Sequence, residues 1–391
     1  MSDEEDFQEE YIQEDEVAEA YDIPEYNEEE IKEMENEMDE DMGDEVQQIE
    51  LEDDSIQGFF EHKDPVYSIA LHPNNPLIAA TGGGDDKSVL WKLDTGEKIA
   101  DLATHTDSCS SVAFNFDGKY VASGGMDGKV FVYDTETFTL VTAVEGPSVV
   151  TWLKWHPRGN VLLAGSEDGT VWMWTIPNGN CMNVFTGHAE SISCGQFTPD
   201  GKLIVTGSMD GLVHVWDPKT GAAVKRWSPE DGRFHQGPVT SLSVNKESTL
   251  ILSGSHDGTT RLLQISTEKI IGKLDDHSDS VETVQFSPAL NFVAAGSVDG
   301  KLQVWDYQSM KQRFTGTHDE AITKVSFTPD GTKLVSASVD GTLKVWDVRT
   351  GELLRTLKGH QNTVLDFDIR KDGEIVVTGS DDGTSMVFPL V

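Results

Sequence analysis

The chain has 391 residues and carries 29 Lys and Arg against 69 Asp and Glu, for a formal net charge of −40. That excess repels nucleic acid and anionic membrane, so direct contact with either is not expected and basic partners are. Cys109, Cys181 and Cys194 form no CxxC pair and no metal spacing, the N-terminus is neither basic nor apolar, and no apolar run approaches the ~18 residues of a membrane helix. The expectation is a soluble cytoplasmic protein, with nuclear presence possible to the same chemistry, and with buried thiols acting as small apolar residues.

Residues 1–54 hold 27 acids and one base, Lys32, and lack apolar runs. Such a segment cannot bury enough surface to offset chain entropy, so a disordered acidic tail is expected over 1–54, with a transient helix over 28–40. It serves either solubility or capture of a basic ligand. Residues 55–391 carry a net charge of −14.

From Ser55 onward an aspartate-glycine turn recurs. Its aspartates are Asp85, Asp127, Asp168, Asp210, Asp257, Asp299, Asp340 and Asp382, spaced 42, 41, 42, 47, 42, 41 and 42 residues apart. A histidine stands 22 residues before most of them: His105, His188, His235, His277, His318 and His360. His62 is one residue further back, and Gly146 takes the place before Asp168. A period of ~40–45 residues with Gly-His and Trp-Asp marks predicts four-stranded propeller blades, here eight. The fourth unit shows the pattern: CMNVF (181–185), the TGH turn, ISCGQF (192–197), KLIVTGS (202–208) and LVHVWD (212–217). GGGDD (82–86) lacks the lysine of a phosphate loop and reads as a turn. The last unit ends in TSMVFPLV (384–391) with no strand after it, which would leave an open edge. SIQGFF (55–60) is therefore expected to pair with it and close the ring, giving one all-β domain over 55–391.

Some repeats carry a full set of polar residues: His188, Thr206, Asp210 and Trp216 in the fourth, His318, Ser336, Asp340 and Trp346 in the seventh. A set repeated round a ring reads as structural, each imidazole held by aspartate and hydroxyl in a satisfied buried network. No catalytic, metal or cofactor site is expected. The histidine turn and the aspartate turn share one rim, the top face. The second residue after each histidine place is Asp64, Asp107, Ser148, Glu190, Gly237, Asp279, Glu320 or Asn362, and none of these is basic. Before the turn aspartates stand Gly84, Met126, Glu167, Met209, His256, Val298, Val339 and Asp381. The candidate binding set is Glu167, Glu282, Asp381, Asp107, Glu190, Asp279, Glu320 and Asp64, with Tyr67, Met126, Met209 and Trp152 as apolar contacts.

With these repeats the chain resembles WD-repeat proteins, whose tetrads are built from the residues just described. Eight units after an acidic N-terminus, with FEHKDPVYSIALHP (60–73) and ATGGGDDKSVLWKLDTGE (80–97), are similar to the family of angio-associated migratory cell protein and its yeast relative Sqt-one, a ribosome-assembly chaperone. The resemblance implies an eight-bladed propeller that holds the basic N-terminal segment of a nascent large-subunit ribosomal protein on its acidic top face; a monomer is expected. Two other readings stand beside it: a substrate receptor of a cullin-type ubiquitin ligase, suggested by WDVR (346–349) with Arg349, and a signalling scaffold.

Overall fold

The computed structural model describes residues 52–274 and 277–390. The segment expected to be disordered lies, up to residue 51, outside the described residues, as does the transient helix at 28–40. Among the described residues every regular element is a strand, and the thirty-two strands form eight four-stranded antiparallel sheets. This is the eight-bladed propeller. Each innermost strand lies beside the next around the ring, and that of blade 8, Val364–Ile369, lies beside that of blade 1, Val66–Leu71.

The blades follow from the strand patterns. Second strands such as Val161–Ser166 and Ile375–Ser380 are almost wholly buried and read as continuous apolar or small residues. Outer strands such as Asn180–Phe185 stay largely exposed. The seam is built from both ends of the domain. Gln57–Phe59 runs antiparallel to Ser385–Pro389, with Gln57 opposite Val387 and Phe59 opposite Ser385. Phe59 is buried and stacks on Trp91 at 5.5 Å. Three residues assigned to the tail join this seam. Glu52 pairs with Lys358 at 2.5 Å, Ser55 donates its amide to Asp53, and Asp54 exchanges two hydrogen bonds with the Lys358 backbone.

A β-bulge recurs near the start of the innermost strand in seven blades, for example between Val66 and Ser68 and between Val281 and Thr283. A bulge re-aims one side chain. In most blades that residue is a hydroxyl that donates to the next blade, as in Thr151 to the Ile192 carbonyl at 2.8 Å and Thr323 to the Val364 carbonyl at 2.7 Å. The residue after the bulge accepts an amide of the next blade: Ser68 from Val112, Ser111 from Leu153, Ser241 from Val284, Thr283 from Val325. In these blades the inward edge of the sheet is thereby satisfied in part by its neighbour. At the seam the acceptors are carboxylates. Asp366 takes the Ile69 amide at 2.8 Å and Asp368 the Leu71 amide at 2.9 Å.

Two local expectations are corrected. Cys181 is exposed on an outer strand, whereas burial pushes the Cys109 and Cys194 thiols up to about 12. Gly82 and Gly83 of GGGDD end the strand Ile78–Gly83 instead of forming the turn, and a Cβ on either would meet Cys109 or His62 within 2.7 Å.

Candidate functional site

In each blade the first residues of the innermost strand lie opposite the last residues of the second strand, as Val150 does Ser166. The loop entering the one and the turn leaving the other therefore meet at one end of the sheet. A backbone bond ties them in every blade. The residue before the turn aspartate donates its amide to the third residue after the histidine place: Gly84 to Pro65, Met126 to Ser108, Glu167 to Val149, Met209 to Ser191, His256 to Pro238, Val298 to Ser280, Val339 to Ala321 and Asp381 to Thr363, at 2.8–3.1 Å. This bond builds the rim.

Beneath it sit the tetrads. His188 is bound by Asp210 at 3.0 Å and Thr206 at 2.8 Å, and the Trp216 indole donates to Thr206 at 2.8 Å. His318, Asp340, Ser336 and Trp346 repeat this at 3.1, 2.7 and 2.9 Å. Burial alone would raise the Asp210 carboxyl, but hydrogen bonds from His188 and the Ala189 amide hold it at about 2. The turn itself needs a left-handed residue, which Gly211 supplies at φ +77°. The imidazoles are closed off from solvent, with side-chain exposure near zero in both blades. Their place in these hydrogen-bond networks is to hold the rim.

The acids stand above this frame. Asp64, Asp107, Glu167, Glu190, Asp279, Glu282, Glu320 and Asp381 are all exposed. Among the described residues none of them is held in an ion pair, whereas acids elsewhere are, such as Glu97 by Lys92 and Asp366 by Lys324. Asp107 and Asp279 use one oxygen to accept the amide of the following serine at 2.7 Å, which leaves the second free. Glu282 occupies the bulge position where other blades carry a stapling hydroxyl, and Ser280 donates to it at 2.5 Å. Tyr67 occupies the same bulge in blade 1 and is 38% exposed. Met126 and Met209 are exposed on the rim.

Trp152 is a correction. It is 8% exposed, its ring fills the space over Gly165 and Gly195, and its indole donates to the Ile192 carbonyl at 3.2 Å. A Cβ on either glycine would fall 2.3 Å from that ring. Trp152 therefore packs blade 3 against blade 4 and is no surface anchor.

Blade 5 breaks the acidic series. Its rim carries Gly237 and His256, and its lengthened loop carries Arg233, paired with Asp231 at 2.7 Å. Below the mouth the channel holds a cavity of about 700 Å³ whose walls include Lys154, Lys324, Asp366 and Asp368. Lys324 there donates to Asp366 at 2.6 Å and to the Phe367 carbonyl at 2.7 Å. The negative field thus belongs to the mouth and not to the channel. Arg349 of WDVR is exposed on a hairpin at the other end of blade 7, while Trp346 of the same motif is taken up by its tetrad.

His214 was not anticipated. It is buried, stacks on His188 at 4.3 Å, and neither ring nitrogen has a hydrogen-bond partner. Its position in blade 2 is filled by Phe131, which packs against His105 at 4.9 Å.

Comparison with known proteins places these features. Residues 138–389 match the family described as Nucleolar protein 10-like, N-terminal domain, and residues 54–92 and 96–134 match WD domain, G-beta repeat. The human angio-associated migratory cell protein is 34% identical over 358 residues, covering 88% of this chain and 82% of that protein. The ribosome assembly protein SQT1 of Saccharomyces cerevisiae is 27% identical over 401 residues, covering 92% of each. The crystal structure of Chaetomium thermophilum Sqt1 bound to the N-terminus of the ribosomal protein L10 superposes with a TM-score of 0.81 at 29% identity, covering 86% of this chain and all of that one.

Proposed function

The chain belongs to the WD-repeat family, among the homologues of angio-associated migratory cell protein, and from that premise we propose that it is a ribosome-assembly chaperone holding a basic segment of a large-subunit ribosomal protein on its acidic rim. The observation that carries this reading is the set of eight exposed rim acids free of ion pairs, in a homologue of a protein solved with a ribosomal N-terminus bound. A mouth of one charge sign speeds encounter with Lys and Arg and rejects acidic partners. A nascent basic segment otherwise adheres to RNA, and a surface of opposite charge shields it. Release follows when rRNA phosphates compete for the same cations, with no hydrolysis step. The work is binding, not catalysis, and the propeller acts as a monomer in the cytoplasm.

The reading is tested by affinity purification of the chain with newly made protein, followed by mass spectrometry. One large-subunit ribosomal protein is expected to dominate, and to be lost when Glu282 and Asp381 are reversed. Cullin and adaptor subunits in its place, lost on Arg349→Ala, would replace this reading with the ligase receptor.

A further inference from the structure

The rim acids are not scattered among the turns. The recurring rim bond relates four of them to a particular neighbour. In blade 2 the Met126 amide is bound by Ser108, and Asp107 directly precedes Ser108. In blade 4 Met209 is bound by Ser191, directly after Glu190. In blade 6 Val298 is bound by Ser280, directly after Asp279. In blade 7 Val339 is bound by Ala321, directly after Glu320. The backbone bond of each of these four acids' following residue thus brings an apolar rim residue to the same corner, and those four side chains are 38%, 42%, 40% and 40% exposed. Blade 1 reaches the same result differently. Its place before the aspartate is Gly84, and the Tyr67 ring stands over that glycine beside Asp64, so that a Cβ on Gly84 would lie 3.2 Å from Asp64 and 3.3 Å from Tyr67.

Aliphatic side chains in water gain nothing from exposure, and turns at this place have no local need for Met or Val. A carboxylate with an apolar neighbour suits one kind of ligand group, a cation on a long aliphatic stem. The head pairs with the carboxylate and the methylenes cover the apolar side chain. We propose that these couplets are subsites for individual lysine and arginine side chains, and that Val298 and Val339 are specificity-determining residues for the stem. This rests on the reading of the rim as the site of a basic segment. Glu167 and Asp381, which stand before the aspartate in blades 3 and 8, supply charge without a stem contact from that place, and blade 5 supplies neither. The rim thus selects lysine and arginine in an extended segment over compact cations of equal charge.

The test uses two synthetic peptides of equal length and charge at pH 7: oligo-lysine, and oligo-2,4-diaminobutyrate, in which the aliphatic stem is halved. Binding of each is measured by calorimetry to the full chain and to a Val298→Ser, Val339→Ser variant, both positions being exposed so that the fold is kept. The lysine peptide is expected to lose about tenfold in affinity on substitution, and the short-stem peptide less than about twofold, with the salt dependence of both unchanged. Equal loss for the two peptides, or no loss for either, overturns the couplets while the acidic rim stands. Failure of both peptides to bind the unsubstituted chain overturns the couplets together with the reading beneath them.

Discussion

At the scale of single residues most of the polar network under the rim is matched, and the mismatch at His214 is informative. His214 lies against His188 with no hydrogen bond of its own, and burial, followed by the charge of His188, pushes its pKa down to about 4 from an ordinary 6.5. The unfolded chain therefore takes up this proton first, and stability contributed by neutral His214 is complete above about pH 6.5 and drains away as pH falls toward 4. His214→Phe, the residue type that blade 2 uses at this place, is expected to remove that loss, worth on the order of 2 kcal/mol between pH 7 and 4. Urea melts of both proteins at the two pH values check this, and parallel stability curves would refute it. Sequence alone identified the tetrads because their residues recur at fixed spacing. It misplaced Trp152 because the two glycines that receive its ring, Gly165 and Gly195, lie far apart in the chain and gave no local sign of a cleft. His214 left no signal, since only the fold sets it on His188.

At the scale of elements, blade number, strand order and the pairing of Gln57–Phe59 with Ser385–Pro389 could be read from the repeat and from the missing last strand. The bulges could not, because they arise from how the innermost strand meets its neighbour and not from a residue pattern. Yet they decide which way Tyr67 and Glu282 point. The seam carries two sets of bonds, the outer strand pair and the carboxylates Asp366 and Asp368 inside, so the loss of the outer strand should loosen the ring without dispersing it. Removal of residues 1–48 is expected to leave the melting temperature within about 1 °C, and removal of 1–61, which takes away buried Phe59, to lower it by roughly 10 °C. Equal melting temperatures for the two truncations would show that the strand pair does not hold the seam.

At the scale of the whole molecule, charge is sorted by position. The rim is acidic in seven blades, open at blade 5, and replaced by mixed charge inside the channel where Lys324 meets Asp366. That sorting gives a surface attractive to a basic segment and too exposed to be dry, so binding should weaken steeply with salt as the Debye length shrinks from ~10 Å at 0.1 M to ~3 Å at 1 M. The most direct measurement is the affinity of a basic ribosomal N-terminal segment for the full chain and for a Glu282→Lys, Asp381→Lys variant, at low and high salt. Both residues are exposed and free of ion pairs, so the variant should melt as the parent does. Its affinity is expected to fall by roughly a hundredfold or more at 0.1 M salt, with the parent approaching it at 1 M. Equal affinity of parent and variant, or binding by the parent that does not change with salt, would contradict the acidic rim as the site.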